Sequence, residues 1–322
     1  MKVLVTDASF PSLEIEQRIL EPAGAEVIGG QCKSPETLIP LVADADVVIT
    51  QFAPITAEVI AAMTRARVIV RYGIGVDNVD LEAARARGIP VCNVPDYCID
   101  EVADHTLAFI LATTRQVVTN TIRVRNGTWG LATPLDQMLA LRHLTVGVVG
   151  FGRIGREVVA RLIPFHGRVL VHDPIVSASE IEKSGAIPVD LERLFLESNV
   201  FTLHCPSTPQ TRGMVSRAAL ARMRPGVILI NVARGDLVDS AALTEALQSG
   251  HVAAAALDVF APEPIPVDHP ILSMGNVIVA SHIASASVPA VRNLRETVAT
   301  LALAALRGEP LANVVNGVVC QK

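Results

Sequence analysis

The chain has 322 residues, half of them hydrophobic, 3% aromatic and 18% charged, with a formal net charge of −5. That length points to about two domains with large aliphatic cores. No basic block suggests nucleic acid, no apolar run reaches the ~18 residues of a membrane span, and the first residues lack a signal peptide's pattern, so a soluble cytoplasmic protein is expected.

The first hundred residues alternate short apolar runs with helical stretches. Predicted strands are Lys2–Thr6, Ala25–Ile28, Asp46–Thr50, Val68–Arg71 and Pro90–Val94. Predicted helices are Pro11–Glu21, Pro35–Ala43, Ala57–Met63 and Leu81–Arg87. Such alternation predicts a parallel sheet with right-handed crossovers. One long helix is predicted over Asp100–Val118, capped by Asp100. Its apolar residues cover more than one face, which predicts burial between domains or subunits. Residues 119–142 read as irregular, with Asn126-Gly127 and Gly130 as turn signals around Trp129.

A second strand–helix series runs from Leu144 to about Ala280. It opens on the apolar run Thr145–Val149, then Gly150, Gly152 and Gly155 before the helical stretch Arg156–Ile163. This is G-x-G-x-x-G in strand–turn–helix context. Gly150 permits the tight turn, Gly152 lets backbone approach a pyrophosphate, Gly155 lets helix pack on strand, and the helix N-terminus favours phosphate. The next strand, Arg168–His172, ends in Asp173, 18 residues after Gly155. A carboxylate there accepts from a ribose and repels a 2′-phosphate, so NAD is expected rather than NADP.

Three later strands carry polar residues at their carboxyl ends: Val227–Val232 leads to Arg234, Ala253–Leu257 to Asp258 and Glu263, and Asn276–Ala280 to His282. Open α/β sheets bind ligands there. Helical periodicity returns over Val288–Leu306. The C-terminal segment is too short for a domain, so residues 286–322 are expected to rejoin residues 1–99, with a dinucleotide domain at 100–285 inserted between them and a cleft where the two meet. The cysteines Cys32, Cys92, Cys98, Cys205 and Cys320 form no Cys-x-x-Cys pair and read as reduced thiols; no metal site is expected.

In order along the chain, Arg71-Tyr72-Gly73-Ile74-Gly75-Val76-Asp77-Asn78-Val79-Asp80, the glycine turn, Asn231-Val232-Ala233-Arg234-Gly235, Leu257-Asp258-Val259-Phe260, Glu263-Pro264 and Ser281-His282-Ile283-Ala284 resemble the D-isomer-specific 2-hydroxyacid dehydrogenase family over nearly the whole length. Cys92–Pro95 and Asp100–Leu107 look most like the branch holding the C-terminal-binding-protein corepressors, alongside phosphoglycerate dehydrogenase-like members. The resemblance implies an α/β fold of two doubly wound parallel-sheet domains, with a Rossmann-type NAD domain inserted into a flavodoxin-like substrate domain, and a homodimer formed through the coenzyme domain.

It also implies roles. His282 is the acid/base, Glu263 orients its imidazole, and Arg234 binds the substrate carboxylate and polarises the carbonyl. Asp258 holds the nicotinamide carboxamide. Thr106, Gly150, Gly152, Arg153, Ile154, Gly155, Asp173, His204, Cys205, Pro206, Thr211, Val232, Ala233 and Ser285 line the cofactor site. The amides of Gly73, Ile74 and Gly75 grip the substrate. The other histidines, His105 among them, show no partner pattern and read as structural. Ser281, Ile74 and Ser285 depart from common family residues, which bears on the substrate rather than the chemistry. The function implied is NAD-dependent interconversion of a small 2-oxo acid and a D-2-hydroxy acid. An NADH-sensing corepressor-like module is the alternative; a formate dehydrogenase is disfavoured by Glu263, where those enzymes carry an amide.

Overall fold

The computed structural model describes residues 1–32, 34–135, 138 and 140–318; Cys320 lies outside them. The chain divides into two compact units: Met1–Tyr97 together with the segment from Ser287 onward, and Cys98–Ala286.

In the first unit the strands are β1 (Lys2–Val5), β2 (Glu26–Gly29), β3 (Val47–Thr50), β4 (Val68–Arg71) and β5 (Val91–Cys92). All pair in parallel, in the order β2-β1-β3-β4-β5. That is the flavodoxin-like winding. The helices are α1 (Glu14–Leu20), α2 (Pro35–Val42), α3 (Ala57–Ala62) and α4 (Leu81–Ala86). Side chains of Thr56 and Asp80 cap α3 and α4 by accepting from Val59 and Ala83 amides.

The second unit opens with α5 (Ile99–Thr114) and α6 (Val117–Arg125). The single helix expected over Asp100–Val118 is therefore two, broken where Gln116 takes a left-handed φ of 57°. The stretch read as irregular is helical as far as Arg125. Asp100 does not cap α5; its carboxylate goes to Arg161, 2.5 Å away. Within its own unit α5 packs on α7 (Arg153–Leu162) and on two strands.

Seven parallel strands follow: β6 (Thr145–Val149), β7 (Arg168–His172), β8 (Ile187–Pro188), β9 (Val200–Leu203), β10 (Val227–Asn231), β11 (Val252–Leu257) and β12 (Val277–Val279). Their order, β12-β11-β10-β9-β6-β7-β8, is the Rossmann winding with one strand added. α8 (Ala178–Lys183), α9 (Leu191–Glu197), α10 (Arg217–Arg222) and α11 (Ser240–Gln248) make the remaining crossovers. Because both sheets are covered by helices, their strands read as continuous apolar runs rather than alternating ones.

The last helix, α12 (Val288–Arg307), returns to the first unit. Ser287 caps it on the Ala290 amide, and Gly308 ends it at φ 69°. Its Leu294, Val298 and Ala302 join a core with Val3, Val5, Val47 and Val70. A buried ion pair fixes its place. Arg295 donates to both Glu16 oxygens (2.8 and 2.6 Å) and to the Ser12 carbonyl (2.6 Å), while the Tyr72 hydroxyl donates to Glu16 (2.9 Å). Glu16 is fully buried and the Arg295 side chain only 7% exposed. Removing one partner strands the other in the core. Arg295→Met is expected to lower the unfolding free energy by about 3–5 kcal/mol, read by urea titration.

Candidate active site

The glycine turn has the shape its sequence requires. Gly150 sits at φ 93°, and a Cβ there would lie 2.7 Å from the His204 carbonyl oxygen. At Gly155 a Cβ would meet the Gly150 carbonyl at 2.1 Å. At Gly152 no atom lies within 4 Å of that position. Two glycines thus serve packing, and the third leaves open space beside the first turn of α7. Arg153 and Ile154 begin that helix, where backbone N–H groups lack intrahelical partners. These residues suit a pyrophosphate.

Asp173 follows β7 and is tied to the same turn. Its Oδ2 accepts from the Phe151 amide (2.7 Å), its Oδ1 from the Ile175 and Val176 amides (2.8 and 3.0 Å). Burial alone raises such a carboxyl, but these three amides and nearby His172 outweigh it and hold Asp173 below the usual range. Its contribution to stability is present above the ordinary carboxylate range and lost as pH falls through it.

His204 and Cys205 follow β9, half-buried. Burial pushes the His204 imidazole down to about 3 and the Cys205 thiol up to about 11, so both are neutral near pH 7. His204 Nε2 pairs with the Thr202 hydroxyl (2.9 Å). Thr211 stitches the loop after them: its hydroxyl donates to the Pro206 carbonyl (2.6 Å) and accepts from the Thr208 amide (2.8 Å). On α5 the buried Thr106 hydroxyl donates to the Val102 carbonyl (2.7 Å).

Beyond β10, β11 and β12 the second unit gathers Arg234, Asp258, Glu263 and His282 at one end of its sheet. His282 Nδ1 lies 2.8 Å from Glu263 Oε2, both side chains about a third exposed (31% and 32%). Glu263 Oε1 accepts the Phe260 amide (2.8 Å). Burial again raises this carboxyl; the hydrogen bond and charge of His282, the Phe260 amide and Arg234 outweigh it, leaving Glu263 below its ordinary value. Glu263 is therefore an anion at neutral pH.

His282 itself has φ 56°, a left-handed backbone that costs a residue with a side chain, and its amide donates to the Asp258 carbonyl (2.8 Å). Asp258, 1% exposed, takes the Ile283 and Ala284 amides on its two oxygens (2.8 and 2.9 Å). Ser285 comes directly after this turn.

Sequence reasoning missed Asn231 and the packing of Gly235. Asn231, 1% exposed, donates to the Arg234 carbonyl (2.8 Å) and accepts from the Ala233 amide (3.0 Å), closing the turn around Val232 and Ala233 that carries the guanidinium. Arg234 Nη1 in turn donates to the Ala233 carbonyl (2.7 Å). The available signal was a buried amide ending an apolar strand. Gly235 lies so close to Phe260 that a Cβ would sit 2.0 Å from its carbonyl carbon. The Arg234 turn and the Glu263 loop are thus in direct contact through backbone.

Gly73, Ile74 and Gly75 follow β4 in the first unit. Gly73 is at φ 138°, and its amide donates to the Arg71 carbonyl (3.0 Å) rather than outward. Asn93 Nδ2 donates to the Ile74 carbonyl (2.6 Å).

Comparisons with known proteins match the chain over most of its length. A profile of "D-isomer specific 2-hydroxyacid dehydrogenase, NAD binding domain" matches residues 107–284. A D-3-phosphoglycerate dehydrogenase of Mycobacterium tuberculosis is 38% identical over 316 residues, 96% of this chain and 59% of that protein. The chain thus spans under two thirds of that relative. A glyoxylate reductase of Korarchaeum cryptofilum is 39% identical over 286 residues, 88% of this chain and 86% of that protein. The crystal structure of Aquifex aeolicus D-lactate dehydrogenase with NAD and lactic acid matches with a TM-score of 0.86 at 28% identity, covering 95% of this chain and 96% of that one.

Proposed function

Because the chain belongs to the D-isomer specific 2-hydroxyacid dehydrogenase family, we propose that it interconverts a small 2-oxo acid and the matching D-2-hydroxy acid with NAD as hydride carrier. The observation that carries this reading is His282 bonded at 2.8 Å to an ionised Glu263, in the unit that also holds Arg234 and the glycine turn. A sensing module needs only the cofactor residues, and nothing in this site favours that alternative.

Bound NADH supplies a hydride to the carbonyl carbon. His282 gives a proton to the carbonyl oxygen, so that one C–H and one O–H bond form as the C=O π bond is lost. Glu263 fixes the ring through Nδ1, leaving Nε2 for the substrate. Arg234 holds the substrate carboxylate with a planar fork and polarises the carbonyl. Asp258, with Val232 and Ala233, takes the nicotinamide end; Gly152, Arg153 and Ile154 take the pyrophosphate; Asp173 takes the adenosine ribose.

The test is turnover of a panel of short 2-oxo acids with NADH, followed at 340 nm. Oxidation of NADH by at least one member is expected; no turnover across the panel sinks the reading. With the best substrate, kcat/KM for NADPH is expected at least about 100-fold below that for NADH, because an anionic Asp173 holding the adenosine ribose would repel a 2′-phosphate, and like charges brought together cost several kcal/mol. Comparable efficiencies would remove Asp173 from its assigned place.

We further propose a homodimer. Val117, Ile122 and Val124 on α6, with Trp129 (90% exposed), Leu131 and Leu135 after it, are large apolar side chains left exposed within one stretch of the chain, and a subunit contact would cover them. Sedimentation at micromolar concentration is expected to give twice the 34.1 kDa chain mass. Among the described residues no helix is long and apolar enough to cross a membrane. A reducing cytoplasm, where buried Cys32 and half-buried Cys205 stay thiols, fits this reading.

A further inference from the structure

Three successive amides of the turn that carries the imidazole end on one residue. His282 donates to the Asp258 carbonyl, Ile283 to Oδ1 and Ala284 to Oδ2. The left-handed His282 therefore depends on where this carboxylate stands. Asp258 is buried, so its Oδ1 cannot be steadied by bulk water.

One side chain is poised to steady it. His105 lies on α5, which packs on β10 and β11, and its ring stands edge-on to Phe109 with centroids 4.3 Å apart. Its Nε2 is 3.9 Å from Asp258 Oδ1. Among the described residues this Nε2 is buried and has no hydrogen-bond partner. Buried nitrogens are nearly always paired. A closure of about 1 Å brings the two atoms to hydrogen-bond distance, and no competing acceptor is recorded for the nitrogen.

We propose that His105 is a positioning residue: its Nε2–H donates to Asp258 Oδ1, and through that carboxylate it holds the turn bearing His282. Sequence reasoning treated His105 as structural because no neighbour in the chain pairs with it; its partner arrives from β11, far along the chain.

The experiment compares His105→Gln with His105→Met. Gln and Met match closely in length and helix propensity, but only Gln keeps a donor at that reach. A role in packing alone affects both alike. The first readout is hydrogen–deuterium exchange of a peptide spanning residues 281–286, in protein without ligand. His105→Met is expected to speed exchange of the Ile283 and Ala284 amides about tenfold, the scale of one charge-assisted hydrogen bond, with His105→Gln close to wild type. The second readout rests on the dehydrogenase reading: kcat falls about tenfold in His105→Met with KM for the 2-oxo acid unchanged, and His105→Gln recovers it. Equal exchange in the two variants, whether both native-like or both accelerated, overturns the proposal. If wild type reduces no 2-oxo acid, the functional reading fails, while the exchange comparison still decides the role of His105.

Discussion

His282→Ala is expected to cut carbonyl reduction roughly 10²–10⁴-fold, the usual worth of a positioned proton donor. NADH affinity, read by fluorescence titration, is expected to stay at the wild-type level, since the residues assigned to pyrophosphate and ribose, Gly152–Ile154 and Asp173, belong to other segments of the unit. The loss belongs in kcat and in kcat/KM together, because the proton moves only in the transition state. Truncation leaves a Cβ on the left-handed backbone at position 282, so the variant does not relieve that strain; only glycine would. Glu263 adds no pH limb of its own near neutrality: its carboxyl lies below the ordinary range and stays charged there. Retained turnover in His282→Ala would falsify the acid/base assignment.

Arg234→Ala is expected to cost about 3–4 kcal/mol at the transition state, or roughly 10²–10³ in kcat/KM, as for other preorganised donors. The arginine binds the carboxylate in the ground state as well, so KM for the 2-oxo acid should rise along with the fall in kcat. Arg234→Lys is the sharper variant. It keeps the charge beside Glu263 but loses the planar fork and the Nη1 bond to the Ala233 carbonyl. Partial recovery of KM with little recovery of kcat is the expected pattern. A lysine variant as fast as wild type would mean that charge alone suffices and that the fork geometry has no part.

Much of this was legible in the sequence because parallel strands covered on both faces leave long apolar signatures. β4, at Val68–Arg71, and the start of α12 fall where periodicity put them. β5 shrank from five expected residues to Val91–Cys92, since pairing with β4 spans only Ile69 and Val70. The break at Gln116 was invisible: no Gly or Pro marks it, and nothing in the residue type announces a left-handed backbone. The site divided along the same line. Glycines, the strand-end acid and the Arg/Glu/His set announce themselves by residue type. Asn231, Gly235 and His105 act through partners brought near by the sheet, and no local spacing encodes that.

The ion pair between Glu16 and Arg295 has a consequence for synthesis. On the ribosome the first ninety-seven residues emerge early but cannot finish their core, because α12 lies beyond the whole second unit. The middle of the chain is complete first and can mature as a unit while the leading segment waits, its Glu16 without a cation and its apolar helix-docking face bare. Translation arrested just before residue 287 should therefore release a nascent chain whose inserted half resists protease and whose leading half is cut.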